Sequence, residues 1–263
     1  MNLRQQSFAD TGLIFWAITK VHADWGQPEF EPDFLSPSEL ERLRRLRFPK
    51  RRREWLSGRW TAKNLLVRSA PEYTRLCLQK ISVQNDGQGA PFFSLDGQGQ
   101  LSVSLSISHR DEFVFCALTS TQGICLGVDI ELVETRPASF LEDYFTAQEV
   151  EAVMQLDQEK RARWITMGWS MKESFLKALG IGLRADTRRI EVAGEMQSGD
   201  MDVNEVDWIP IDISAKDWGS EPVYGCCCSL GQYVLTMVAR SHQVLDGPEP
   251  GSWISRLKQL YID

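Results

Sequence analysis

The feature that most constrains this chain is that it nearly repeats itself. Slid along itself by 110 residues without a gap, Ser36 meets Thr146, Glu39 meets Glu149, Leu46 meets Leu156, Arg51 meets Arg161, Gly58 meets Gly168 and Leu66 meets Leu176. Ser36-Pro37-Ser38-Glu39 and Thr146-Ala147-Gln148-Glu149 both have a hydroxyl at the helix N-cap and a glutamate three residues on, so each satisfies the free amides of a helix start. The first also has proline at the first helical position, where its missing N–H costs nothing. The spacing predicts a helix from Ser36 towards Phe48 and a second from about 50 to 68. The later pair runs over 147–157 and 160–179 and stops at Gly180, a helix C-terminal glycine. A shared register of caps and glycines points to duplication. Two such halves pack about a pseudo-twofold, as a homodimer would, and leave a ligand cleft between them. The expected division is 1–122, 123–240 and a tail at 241–263 outside the repeat. In the tail, Asp246-Gly247-Pro248 reads as a loop and Ser252–Tyr261 as a short closing helix.

Strands fill the remainder and make the fold class α+β. Gly12–Val21, Leu76–Val83, Pro91–Leu95 and Phe113–Thr119 read as strands in the first half, and Gly123–Val133, Arg189–Val192, Val223–Leu230 and Gln232–Arg240 in the second. Leu101–Ser108 alternates without a break, with Leu101, Val103, Leu105 and Ile107 on one face and four serines on the other. Gly231 joins the last two strands as a tight hairpin.

Charge is unevenly spread. The chain carries 29 basic and 36 acidic residues, a formal net charge of -7. Between Arg42 and Lys63, however, ten basic residues meet only Glu54, a local +9 that leaves -16 for the remainder. So concentrated a charge repels itself unless an anion is near, and phosphate is the common partner; the alternative is a solvated arginine face. No apolar run reaches the roughly 20 residues that span a bilayer, which argues against a membrane role. The polar start and the consecutive Cys226, Cys227 and Cys228, which fit neither a disulfide ladder nor a zinc site, point to a cytoplasmic protein with reduced thiols.

Three constellations carry chemistry. Asp129 and Glu131, two apart on a strand, face the same way and repel unless a cation lies between them; an exposed acidic strand end is the plainer reading. Trp169, Glu173 and Lys177 share a helix face. Glu173 and Lys177 could form an ordinary i,i+4 ion pair, or Glu173 could complete a Mg²⁺ site and leave Lys177 for phosphate oxygens. Ser108-His109-Arg110, at a strand end, is a compact set of phosphate donors or simply surface.

Their order is more specific than any one of them: a basic Arg-Arg-Glu-Trp-Leu-Ser-Gly-Arg helix, Gly89-Ala90-Pro91, Ser-Ile-Ser-His, Gly-Val-Asp-Ile-Glu, and some 40 residues later Trp-Ser-Met-Lys-Glu-Ser. This resembles the 4′-phosphopantetheinyl transferases, in particular the longer Sfp-type group with two pseudo-symmetric halves in one chain. The resemblance implies an Mg²⁺-dependent enzyme with coenzyme A bound between the halves. It implies attack by the serine of an apo acyl or peptidyl carrier protein, from fatty acid, polyketide or non-ribosomal peptide synthases, with release of adenosine 3′,5′-bisphosphate. Asp129, Glu131 and Glu173 match the metal ligands, and Glu173 or Glu131 would take the serine proton. Lys177 matches the lysine that steadies the transferring phosphate. Ser108 and His109 fall at the coenzyme A phosphates, His109 at the 3′-phosphate, and Arg53, Arg59 and Lys63 lie in the basic helix that faces phosphates. A monomer with one site per chain is expected.

Two positions depart from the pattern. Ala90 stands where a Lys or Arg is frequent, and Arg110 where a serine often follows the Ser-His pair; Arg110 is expected to replace the missing cation and so to contact coenzyme A. Two other classes compete. The carboxylates could serve a metal-dependent phosphohydrolase or nuclease. The arginine helix could bind nucleic acid, but a pI near 5.2 and confinement of the basic residues to one segment weigh against it.

Overall fold

A computed structural model describes residues 13–69, 72–96, 99–193, 208–215, 218–241 and 252–262. Both capping boxes form. Ser36 and Glu39 exchange bonds at the start of α1 (Pro37–Arg44), and Thr146 and Glu149 do the same at α4 (Ala147–Met154). The long helices are α2 (Pro49–Ser69) and α5 (Gln158–Ala178), the latter capped by the Asp157 side chain. Gly180, at φ +70°, ends α5 as the sequence indicates.

The strands build two main sheets. In the first, β1 (Ile14–Lys20) lies between β6 (Phe113–Thr119) and β12 (Leu257–Gln259), and β5 (Ser104–Arg110) borders β6. In the second, β7 (Ile124–Leu132), β11 (Tyr233–Ser241), β10 (Val223–Leu230), β9 (Ile209–Ser214) and β8 (Glu191–Ala193) follow in that order. A small sheet of β2 (Ile81–Asn85), β3 (Pro91–Leu95) and β4 (Gly99–Gln100) packs beside the first. Alternation along the strands gives each sheet two apolar faces. Ile14, Trp16, Phe113 and Phe115 meet Leu126, Val128, Cys226 and Met237 in a core between the sheets. The intervening residues pack outward: Ala17, Val114 and Cys116 with Ala62, Leu65 and Leu66 of α2, and Cys227, Val234 and Val238 with Met167, Met171 and Phe175 of α5. The result is helix, sheet, sheet, helix, with the triple cysteine divided between two cores.

The serine face of β5 seals the two sheets. Ser104 and Ser106 hydroxyls accept the amides of Leu126 and Val128, both at 2.9 Å, and so satisfy the open edge of β7. On the other face of β7, α5 crosses so closely that a Cβ on Gly127 would lie 1.7 Å from the Ser174 carbonyl oxygen. That crossing brings α5 against the carboxylates of β7.

Three expectations change. The closing segment is not a helix throughout: after a 3-10 turn (Ser252–Arg256), β12 pairs in parallel with β1, matching Leu257 to Ile14. The Asp246–Pro248 loop lies outside the described residues. In addition, α3 (Ala138–Tyr144), β4 and β9 were not anticipated. The third change is to the internal register. It is 110 residues for the caps but 109 for the long helices. Lys63 and Lys172 occupy the same place, each fully buried and bridging the glutamate of the preceding capping box, Glu39 at 2.5 Å and Glu149 at 2.6 Å. Glu39 also accepts the amide of Val83, and Glu149 that of Val192. One residue is therefore missing between α4 and α5 relative to α1 and α2. Trp60-Thr61-Ala62-Lys63 against Trp169-Ser170-Met171-Lys172 already carries this register in the sequence. Gly58 and Gly168 are not counterparts, and the residue opposite Glu173 is Asn64, not Lys63.

Candidate active site

Two neighbouring regions meet at the end of β5, and its alternation divides them. Ser108 points to the acidic side, His109 to the basic side.

On the acidic side, β7 and α5 supply the groups. The Lys177 ammonium donates to Asp129 Oδ1 (2.7 Å), Ser108 Oγ (3.1 Å) and the Val128 carbonyl (3.0 Å). Ser108 Oγ donates to the same Asp129 oxygen at 2.7 Å. The other oxygen, Asp129 Oδ2, is buried with no partner. Glu173 Oε2 lies 3.9 Å from the Lys177 ammonium. Burial and the neighbouring Asp129 push the Glu173 carboxyl up to about 7, Lys177 opposing. Glu131 is also raised, by burial and then by Asp129, against Arg110 and Arg136.

The three carboxylates do not converge equally. Arg110 donates to Glu131 Oε2 at 2.8 Å and to Glu134 Oε1 at 3.1 Å, and Arg136 approaches the same two oxygens at 3.8 and 2.9 Å. Among the described residues no three of His, Cys, Asp or Glu come close enough to enclose a metal ion. Asp129 and Glu173 remain as the carboxylate pair. With one unpartnered buried oxygen, they suit a hard divalent cation that takes one or two carboxylates and fills its shell with water and phosphate.

On the basic side is a cleft of about 1050 Å³ whose lining includes Arg42, Lys50, Arg51, Trp55, Arg59 and His109. Arg59 stacks on Trp55, with 4.3 Å from guanidinium carbon to ring centroid, and its Nε is buried without a partner. Burial lowers Arg59 to about 10, so it stays charged at neutral pH. His109 Nε2 is 3.3 Å from Glu54 Oε2. Burial and Lys177 lower the imidazole despite that glutamate, so it is neutral at pH 7.

Of the residues read from the sequence, Asp129, Glu173, Lys177 and Ser108 come together, and Arg59 and His109 line the cleft beside them. Lys63 does not: its ammonium is spent on Glu39 and the carbonyls of Phe34 and Leu78, with no exposure to the cleft. Arg53 sits on another face of α2, against Gly26. Arg110 turns to Glu131, not to the turn that holds Ala90. A cation at that turn comes from the second half, where Arg184 donates to the Gln88 carbonyl at 3.2 Å.

The +9 segment likewise divides. Arg52 is buried and donates to the carbonyls of Gln27, Pro28, Phe30 and Leu43, and Arg44 pairs with Glu31. Arg42, Lys50 and Arg51 face the cleft and were not singled out from the sequence. Helical spacing from Arg59 back to Trp55 and Arg51 is the signal that would have found Arg51.

A family model described as the 4′-phosphopantetheinyl transferase superfamily matches residues 125–235. The chain is 29% identical over 163 residues to the 4′-phosphopantetheinyl transferase HetI of a Nostoc species, covering 60% of this chain and 65% of HetI. It is 22% identical over 166 residues to the L-aminoadipate-semialdehyde dehydrogenase-phosphopantetheinyl transferase of Xenopus laevis, covering 60% of this chain and 53% of that protein. The matches thus span less than two thirds of either relative. Among solved structures, a holo-(acyl-carrier-protein) synthase from Bacillus anthracis in complex with CoA (3′,5′-ADP) shares 16% identity at a TM-score of 0.37, covering 45% of this chain and 96% of that one.

Proposed function

We propose, from the premise that this chain belongs to the 4′-phosphopantetheinyl transferase superfamily, that it transfers 4′-phosphopantetheine from coenzyme A to a serine hydroxyl of an apo acyl or peptidyl carrier protein. One observation carries the reading. Consecutive residues of β5 open onto two different regions, Ser108 onto the Asp129–Lys177 cluster and His109 onto the arginine-lined cleft. A donor with a phosphate at one end and a pyrophosphate further along would straddle that strand end. Coenzyme A has both, and two anionic groups account for cations split between Arg59 and Lys177.

Phosphoryl transfer asks a protein mostly for positioning and charge. The bond that forms joins the carrier serine oxygen to the β-phosphorus. The bond that breaks is within the pyrophosphate, and adenosine 3′,5′-bisphosphate leaves with the electron pair. Lys177 would hold oxygens of the transferring group, drawn from its contacts with Asp129 and Ser108. Glu173, whose carboxyl burial and Asp129 raise to about 7 while no cation is bound, would take the serine proton as general base. Asp129 and Glu173 would hold Mg²⁺, while Glu131 nearby pairs with Arg110. When bound, that ion would neutralise charge on the phosphate oxygens. Arg59 and His109 would position the 3′-phosphate end. We read the enzyme as a cytoplasmic monomer whose first half (1–122) supplies most of the phosphate-binding cations and whose second half (123–240) supplies the carboxylates and Lys177.

The test is incubation with coenzyme A, Mg²⁺ and a panel of apo carrier proteins, followed by mass spectrometry. Transfer adds one phosphopantetheine to a carrier. Free phosphopantetheine with an unmodified carrier would instead show a hydrolase. Lys177→Ala should lower transfer by about 10²–10³, as for loss of one preorganised charge contact.

A further inference from the structure

Arg110 is one of the two positions at which this sequence departs from the motif it resembles, and its guanidinium is committed to carboxylates. It holds Glu131 at 2.8 Å and Glu134 at 3.1 Å, while Arg136 pairs with Glu134 at 2.9 Å and lies 3.8 Å from the same Glu131 oxygen. Arg136 in turn lies over the Phe140 ring, 5.1 Å from its centroid. Glu131 Oε2 therefore accepts one charge-assisted bond from Arg110 with a second permanent cation, Arg136, 3.8 Å away, and its side chain is only 13% exposed. Asp129 has an oxygen with no partner, and Glu173 has only a distant ammonium.

We infer that Arg110 and Arg136 clamp Glu131 away from the cation, so that divalent-ion binding in this chain rests on Asp129 and Glu173. The inference deepens the transfer reading and rests on it. Glu131 becomes a positioning residue that anchors the guanidinium pair at the rim, and Arg110 sets the number of carboxylates the cation meets. To coordinate an ion through Oε2, Glu131 would have to give up its charge-assisted bond from Arg110, and the two nearby guanidinium charges oppose a cation at its other oxygen. Releasing the clamp should thus tighten the cation, because affinity in such sites follows the number of charged ligands.

The experiment titrates Mn²⁺ into the full chain, read by electron paramagnetic resonance of free ion, with coenzyme A absent and present. Thermal melts would check that each variant is folded. Glu173→Gln should weaken binding by at least about tenfold and Glu131→Gln by less than about threefold. Arg110→Ser should tighten it by about tenfold, and adding Glu131→Gln to that variant should abolish the gain. Equal losses in Glu131→Gln and Glu173→Gln, or no gain in Arg110→Ser, would overturn the clamp and leave the transfer reading intact. Wild-type protein that binds no Mn²⁺ even with coenzyme A would overturn both.

Discussion

Replacing Lys172 by methionine removes one ammonium and little volume, so its effect isolates the buried charge. In the folded chain that ammonium has no exposure and makes three hydrogen bonds: Glu149 Oε2 at 2.6 Å and the carbonyls of Tyr144 and Thr187 at 3.1 and 3.2 Å. It also lies 4.6 Å from the Phe145 ring centroid. Without it, Glu149 keeps the amides of Thr146 (2.7 Å) and Val192 (2.8 Å) but loses its counter-charge, and two buried carbonyls lose a donor. Stranding one member of a buried pair costs about 3–5 kcal/mol. For a chain of this size, at about 2–4 °C per kcal/mol, the midpoint should fall by about 6–20 °C. Lys63→Met should fall by a similar amount, because Glu39, Phe34, Leu78 and Val83 form the same network in the first half. Combining Lys172→Met with Glu149→Met should cost less than the sum of the two, since no unpaired charge remains. Urea unfolding followed by circular dichroism measures all four variants. A Lys172→Met cost below about 1 kcal/mol, or full additivity in the double variant, would show that the ammonium is not what ties α5 to α4 and β8.

Without divalent cations, stability should fall as pH rises from about 4.5 through 7. The Glu173 carboxyl is raised to about 7 in the folded chain, so it favours the folded state while protonated and loses that on ionising. The loss is on the order of 3 kcal/mol, and Glu173→Gln should flatten the slope; parallel profiles for the two proteins would refute this. Gly127→Ala should cost more than about 4 kcal/mol or prevent folding, because its Cβ would enter the backbone of α5. Gly58→Ala, whose Cβ would meet only Ile107 at 3.5 Å, should be neutral or stabilise by up to about 1 kcal/mol; thermal melts compare the two. In steady-state kinetics Arg59→Ala and His109→Ala should raise the coenzyme A Michaelis constant and narrow the preference over 3′-dephospho-coenzyme A, while Arg53→Ala should do neither. Calorimetry should find one coenzyme A per chain.

The sequence made most legible what is settled within a few residues. Both capping boxes, the Gly180 stop and the Gly231 hairpin depend on local hydrogen bonds and on φ angles of +70° and +54°. The α3 helix escaped because Pro137 stands at its N-cap with no side-chain cap. β9 escaped because Pro210 interrupts a run that would otherwise read as a strand. Ser252–Tyr261 has apolar spacing compatible with helix or strand, and only its distant pairing with β1 decides. The acidic cluster was found because β-strand and helix periods place Asp129 with Glu131 and Glu173 with Lys177. The function of the arginines was not legible. Arg52, Arg53 and Arg59 are alike in sequence but face three different environments on α2, and the rotation of that helix is set by the buried Lys63.

The corrected register also explains why a duplicated chain has one such cluster among the described residues. The positions equivalent to Asp129, Glu131, Glu173 and Lys177 in the first half are Thr19, Val21, Asn64 and Arg68, with no carboxylate among them. Thr19 bonds Thr61 at 2.6 Å, and Asn64 donates back to the Trp60 carbonyl. Arg68, the counterpart of Lys177, donates to the Tyr261 carbonyl just beyond β12. The edges differ in the same sense. β1 is closed by β12, a paired strand that leaves no gap, whereas β7 meets the serine hydroxyls of β5. A serine edge is one whose last member can turn its hydroxyl from a backbone amide to a carboxylate, and Ser108 does so with Asp129. The tail that completes the first sheet and the serines that border the second therefore break the symmetry together. They leave one sheet edge as scaffold and open the other to chemistry.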